Sequence, residues 1–161
     1  MRSRTVWLSV FLHIFLTAYF AVAINTSAYS EEFKATLTGS KVVPPVKSKA
    51  KGEATFRLFK GERRMLYRLS VTNIEDVTAA HIHKGKKGEN GPPVVVLYSG
   101  SKKSGKYSGM LAEGIVTDYD LIGPLKGGTL EALVKMIYDG EAYVNVHTKK
   151  YPDGEIRGQI K

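Results

Sequence analysis

A period of two runs through most of this chain. Phe33, Ala35 and Leu37 alternate with Lys34, Thr36 and Thr38. Ala54, Phe56 and Leu58 do the same against Glu53, Thr55 and Arg57, and Met65, Tyr67, Leu69 and Val71 against Leu66, Arg68, Ser70 and Thr72. Successive side chains of a strand point to opposite faces, so this alternation predicts strands buried on one side. Lys60-Gly61-Glu62-Arg63 supplies a turn, which makes the last two runs a hairpin. Further strands are predicted at Val77–His83, in the β-branched run Val94–Tyr98, and at Tyr107–Thr117, the last weakened by Gly109 and Gly114. Two more follow at Glu141–Thr148 and Glu155–Lys161; in the latter, Ile156, Gly158 and Ile160 share a face.

The connections carry turn chemistry. Pro44 and Pro45 cannot donate to a ladder, so Val42–Val46 is a loop or a sheet edge. Lys84–Pro93 is glycine-rich, Ser99–Lys106 reads as a polar turn, and Asp118–Gly128 is loop. One helix is expected. Leu130, Leu133, Val134 and Ile137 form a single apolar stripe, with Thr129 placed to cap it and Gly140 to end it. Many short strands, turns between them and one small helix predict an all-β fold, an antiparallel sandwich or barrel.

Residues 1–23 read as a signal peptide. Arg2 and Arg4 precede an apolar stretch from Val6 to Phe20, and Ala21-Val22-Ala23 is a small-x-small cleavage site. A retained anchor is the alternative, but the apolar run is near the lower limit for spanning a bilayer and holds Ser9, His13 and Thr17. No stable membrane span is expected after cleavage. Residues 24–32 form a polar spacer, and 33–161 a single domain. Export to the periplasm or beyond the cell implies an oxidising compartment, yet the chain has no cysteine, so neither disulfides nor thiol chemistry operate here. There are 24 basic residues against 15 acidic ones, and the leader holds only two of the basic ones. The excess favours an anionic partner, either acidic polysaccharide or a small anion. No nucleic-acid motif is present, and a monomer is expected.

All the histidines outside the leader lie in two of the predicted strands. His81 and His83 sit in Ala79-Ala80-His81-Ile82-His83, and His147 in Tyr143-Val144-Asn145-Val146-His147-Thr148. Alternation puts Ala80, Ile82, Val144 and Val146 in the core. The histidines then face outward, beneath the Lys84–Pro93 and Lys149–Gly154 loops. Two histidines two apart on a strand, with a third on a neighbouring strand, can lean onto one ion at about 2.0–2.1 Å. Imidazole suits copper or zinc, and not calcium or magnesium. The competing role for these polar residues is to pin the two loops, with Asn90, Asn145, Asp153 and Glu155 as hydrogen-bonding partners. Lys84, Lys86, Lys87, Lys149 and Lys150 flank the motifs; they oppose a cation but hold the imidazoles neutral. Asp153 and Glu155 read as a turn aspartate and a strand-edge glutamate rather than an acid–base pair. Arg157 is expected to pair with a carboxylate. No nucleophile elbow, phosphate loop or zincin motif occurs.

Five ordered stretches resemble the CHRD domain, the family named from repeats in chordin: Val43–Val46, Thr78–His83, Asn90–Val95, Ala142–Thr148 and Gly154–Ile160. The resemblance implies a β-sandwich or Greek-key fold and covers essentially all of 33–161. It implies no defined molecular activity. Separately, His-x-His on one strand with a later histidine is similar in arrangement to the copper site of copper–zinc superoxide dismutase. This chain lacks the extra histidines and carboxylate of a bridged two-metal site. The expectation is therefore an exported CHRD-type binding module with copper or zinc on His81, His83 and His147. The alternatives are a metalloenzyme using that site, or an adhesive domain binding acidic polymer.

Overall fold

The alternating runs become strands because one face of each can be buried. A computed structural model describes residues 31–59, 61, 63–100 and 103–161. Among the described residues seven strands form: β1 (Glu31–Thr38), β2 (Lys51–Phe59), β3 (Arg64–Lys84), β4 (Pro93–Tyr98), β5 (Lys103–Val116), β6 (Ala142–Thr148) and β7 (Ile156–Gln159). One helix, α1 (Leu130–Tyr138), lies between β5 and β6. All pairings are antiparallel.

The sheet closes on itself through β3. Its strand path runs β2-β1-β7-β6, and β3 pairs with β2 through Arg64–Thr72 and with β6 through Val77–Lys84. β5 and β4 line the other edge of β3: Leu69 pairs with both Ala54 and Ala112, and Ile82 with both Val144 and Val95. β1, β2 and β3 follow one another as neighbours, and β7, late in the chain, returns to lie beside β1 and helps to close the barrel. The all-β barrel with one short helix is thus the observed fold.

Inside the closed sheet lie Phe33, Leu37, Phe56, Met65, Leu69, Val71, Ile74, Ile82, Val144, Val146, Ile156 and Ile160, all buried. Fully burying one such side chain stabilises by about 1.5–3 kcal/mol, so these alternating positions supply the main driving force. The helical stripe Leu130, Leu133, Val134 and Ile137 is buried as well. Tyr138 meets the Phe33 ring edge-on at 5.5 Å.

Several expectations change. Met65–Thr72 and Val77–His83 are halves of one 21-residue strand, not separate strands. Asn73 and Asp76 take left-handed backbone angles of φ 54° and 51°, which these two residue types tolerate. The pairing with β5 shifts register there but continues, so the strand bends and bulges instead of ending. β5 begins at Lys103, inside the expected polar turn, and the register with Ile74, Glu75 and Val77 explains the extension. Glu31 and Glu32, assigned to the spacer, belong to β1, where they pair with Leu58 and Arg57. The N-cap position of α1 is Thr129, but its side chain does not cap. Asp118 Oδ1 instead accepts the Leu130 N–H at 2.7 Å. Residues 1–23 and the rest of the spacer lie outside the described residues.

Candidate metal centre

The site lies on the face of β3, β6 and β7 opposite the core. Paired residues share a face, and the register sets His83 beside Tyr143 beside Gln159, and His81 beside Asn145 beside Arg157. His147 pairs with Ala79, so it stands diagonal to His81, not directly opposite. Diagonal neighbours remain within reach of ring side chains. The three imidazoles form a nearly regular triangle, with ring centroids 5.1 Å (His81–His147), 5.5 Å (His81–His83) and 5.7 Å (His83–His147) apart. Ala80, Ile82, Val144 and Val146, the residues that alternate with them, are completely buried in the core. The expected phase therefore holds. The exposure differs: the two loops cover the recess, and His83 is buried.

Two carbonyls fix two of the rings. His83 Nδ1 lies 2.8 Å from the Gly91 carbonyl, and His147 Nδ1 lies 2.8 Å from the Pro152 carbonyl. A carbonyl only accepts, so each Nδ1 carries the proton and each Nε2 a lone pair. His83 Nε2, His147 Nε2 and His81 Nδ1 are buried with no hydrogen-bond partner among the described residues. One ligand atom from each residue lies within 4.8 Å of the other two. Tetrahedral binding at about 2.0–2.1 Å would set ligand atoms about 3.3 Å apart, so an ion would draw the rings together.

Burial governs the protonation of these rings. It pushes all three below the ordinary histidine range, and the neighbouring rings add to this for His81, which falls to about 4. The carbonyl bonds oppose the shift at His83 and His147, as does the charge of Asp153 at His147. The neutral, ligand-competent form therefore prevails near neutral pH.

Glycine makes the loop geometry achievable at two points. A Cβ on Gly91 would lie 1.9 Å from the Lys84 carbonyl oxygen, so only glycine lets this segment come close enough to hold His83. Gly154 has φ 124°, and a Cβ there would lie 2.3 Å from Asn145 Oδ1. These glycines belong to the Asn90–Val95 and Gly154–Ile160 motifs.

The residues expected to support the site do pin loops, with changes in detail. Asn145 donates to the Asp153 carbonyl at 2.9 Å, so Asp153 contributes its backbone rather than its carboxylate. Asn145 Oδ1 is itself buried and unpartnered. Asn90 donates to the Val43 carbonyl at 2.7 Å and accepts from Arg157 at 3.2 Å. Glu155 serves a different segment: its carboxylate accepts the Ser48 hydroxyl at 2.6 Å and the Thr148 hydroxyl at 2.9 Å. Of the flanking lysines, Lys86 pairs with Glu141 and Lys149 with Asp76, which reduces the positive charge around the recess.

Arg157 corrects an expectation. It pairs with no carboxylate among the described residues. Arg157 is only 2% exposed; its guanidinium lies 3.5 Å over the Tyr143 ring and donates to Asn90 and to the Lys86 carbonyl. Tyr143 in turn stacks on His83, with centroids 5.1 Å apart and planes 12° apart. Its phase against Ile156 and Gly158 was the available signal that Arg157 shares the histidine face.

A profile of the CHRD domain matches residues 33–160. The chain belongs to the CHRD domain family. The CHRD chain is 33% identical to chordin of Xenopus laevis over 140 residues, which cover 81% of this chain and 13% of chordin. It thus corresponds to one small part of that much longer relative. No solved structure matches it.

Proposed function

We propose that this CHRD domain is an exported, monomeric binding module that holds one transition-metal ion, copper or zinc, on His81, His83 and His147. The observation that carries this reading is that one ligand atom from each of the three histidines lies within 4.8 Å of the other two, while each ring keeps a buried nitrogen with no hydrogen-bond partner among the described residues. Unpartnered buried acceptors are unfavourable by about 1–3 kcal/mol each, and a bound cation removes that penalty at once. The carbonyls of Gly91 and Pro152 act on the far nitrogens as outer-shell partners do in metal sites, fixing tautomer and ring direction. An all-imidazole set suits copper or zinc, and three ligands leave a further position on a tetrahedral ion for an exchangeable group. That open position is what the metalloenzyme alternative would use. Export is supported by the leader pattern of residues 1–23.

Calorimetric titration of the untagged protein with zinc and with copper tests this, alongside His81→Ala and His147→Ala. One ion bound tighter than micromolar, lost in both variants, is the expected result. Binding weaker than that, or unchanged in both variants, rejects the site. Ester hydrolysis and superoxide consumption by the loaded protein separate carrier from enzyme.

A further inference from the structure

A second concave surface, distinct from the histidine recess, is lined by several basic side chains and by no acidic side chain. It has a volume of about 390 Å³ and lies between the Ser40–Pro45 segment, the Lys87–Gly88 turn and the end of the chain. Lys41, Lys87 and Lys161 line it, and all three are exposed. None of them makes an ion pair with a side chain among the described residues; Lys41 donates one proton to the Thr36 carbonyl at 2.5 Å. An ammonium has three donors, so two remain. Arg157 forms part of the floor and keeps its charge there by stacking on Tyr143, with no carboxylate against it. No acidic side chain lines the groove. The other lysine-rich hollow, at Lys47, Lys49, Lys149 and Lys150, differs in this respect, since Glu75, Asp76 and Glu155 line it too.

We propose that this groove binds an acidic oligosaccharide, with carboxylates of the sugar on Lys41, Lys87 and Lys161 and a ring face against Val42, Val43 and Pro45. Four like charges around one concavity focus potential and draw an anion inward. Charge-assisted hydrogen bonds to a carboxylate are the strong ones, and Lys87 and Lys161 are free to make them. The apolar wall of valine and proline favours a ligand with a flat carbon face over a bare inorganic ion. The volume lies within the range of sites that take small ligands. The proposal does not depend on the metal reading, because the groove shares no histidine with it.

The test uses the untagged protein with EDTA present, trigalacturonate as probe and maltotriose as neutral control. Amide shifts should move at Val42, Val43, Lys87, Gly88 and Lys161, and maltotriose should leave them unchanged. Lys41→Ala, Lys87→Ala and Lys161→Ala combined should weaken trigalacturonate binding at least tenfold. Lys51→Ala, Lys106→Ala and Lys126→Ala combined remove the same charge elsewhere and should weaken it no more than about twofold, the response expected of general screening. Should the first triple variant fail to fold, Lys87→Glu decides, since Lys87 is exposed on a turn. Equal loss in both triple variants, equal binding of maltotriose, or unchanged binding by Lys87→Glu overturns the proposal. So does binding only to vesicles of phosphatidylglycerol, or to sulfate as tightly as to the trisaccharide.

Discussion

Acid should unfold the metal-free protein through the histidine recess. In the folded state the His81 pKa falls from 6.5 to about 4, chiefly because burial disfavours the charged ring. The unfolded chain takes up its proton as pH falls through 6.5, whereas the folded chain takes it up only near 4. Stability associated with His81 is therefore complete above pH 6.5 and is lost as pH falls from 6.5 towards 4. At about 1.36 kcal/mol per pH unit, the ceiling is about 3.4 kcal/mol. His81 is partly exposed, which trims that figure through solvent screening. His83 and His147 are lowered as well and act in the same direction. Domain stabilities are about 5–15 kcal/mol, so the loss is a large share of the total. The only tryptophan, Trp7, lies in the proposed leader and outside the domain, so circular dichroism is the probe for urea unfolding at pH 7.5, 6, 5 and 4 with EDTA. His81→Asn should flatten the dependence between pH 6.5 and 4 relative to the wild type. An unaltered slope in that variant, or an NMR titration of the His81 ring with a midpoint near 6.5, would refute the reasoning.

Zinc or copper at 100 times its dissociation constant should raise unfolding free energy by about 2.7 kcal/mol, and His147→Ala should abolish the gain in the same melts. Gly91→Ala should displace the Gly91 carbonyl from His83, because the new Cβ meets the Lys84 carbonyl. Metal affinity measured by competition with a chelator should fall about 10–100-fold, as when an outer-shell partner is lost. Ile82→Ala opens a cavity on the core side of the same strand and should lower stability by about 2–5 kcal/mol in urea unfolding. Arg157→Lys should destabilise measurably in thermal melts, because a lysine cannot lie flat over Tyr143 while donating to both Asn90 and the Lys86 carbonyl.

The alternation of Ala80 and Ile82 with His81 and His83 made the histidine face legible, because burial of one face dictates the direction of the other. The same rule identified the apolar stripe of α1. What stayed hidden depended on distant residues. Nothing local to Asn73–Asp76 shows that a turn-like sequence will stay hydrogen-bonded to β5 and continue as strand. The diagonal placement of His147 follows from the β3–β6 register, which is set by a bulge between Val77 and Ala79. The carbonyls of Gly91 and Pro152 could not be read as partners, since any backbone carbonyl looks the same in a sequence. Arg157 was misassigned for a general reason. A buried guanidinium invites a carboxylate, but an aromatic face and two oxygen acceptors solve the same problem here.

That solution bears on how a cationic domain could accommodate the proposed metal ion. A guanidinium paired with a carboxylate would have brought an acidic group beside the histidines, either as a competing ligand or as a base. Stacking on Tyr143 avoids both, and it also stiffens the ring on which His83 rests. The guanidinium donates to Asn90 and to the Lys86 carbonyl, and its charge helps to keep His83 neutral. Glu141 and Asp76 draw Lys86 and Lys149 into ion pairs, and Asp153 places a negative charge near His147. The three imidazoles are therefore neutral and their surroundings partly compensated, although the chain as a whole carries a net charge of +9. Both properties come from one arrangement of β3, β6 and β7, which seals the barrel on one face and gathers the histidines on the other.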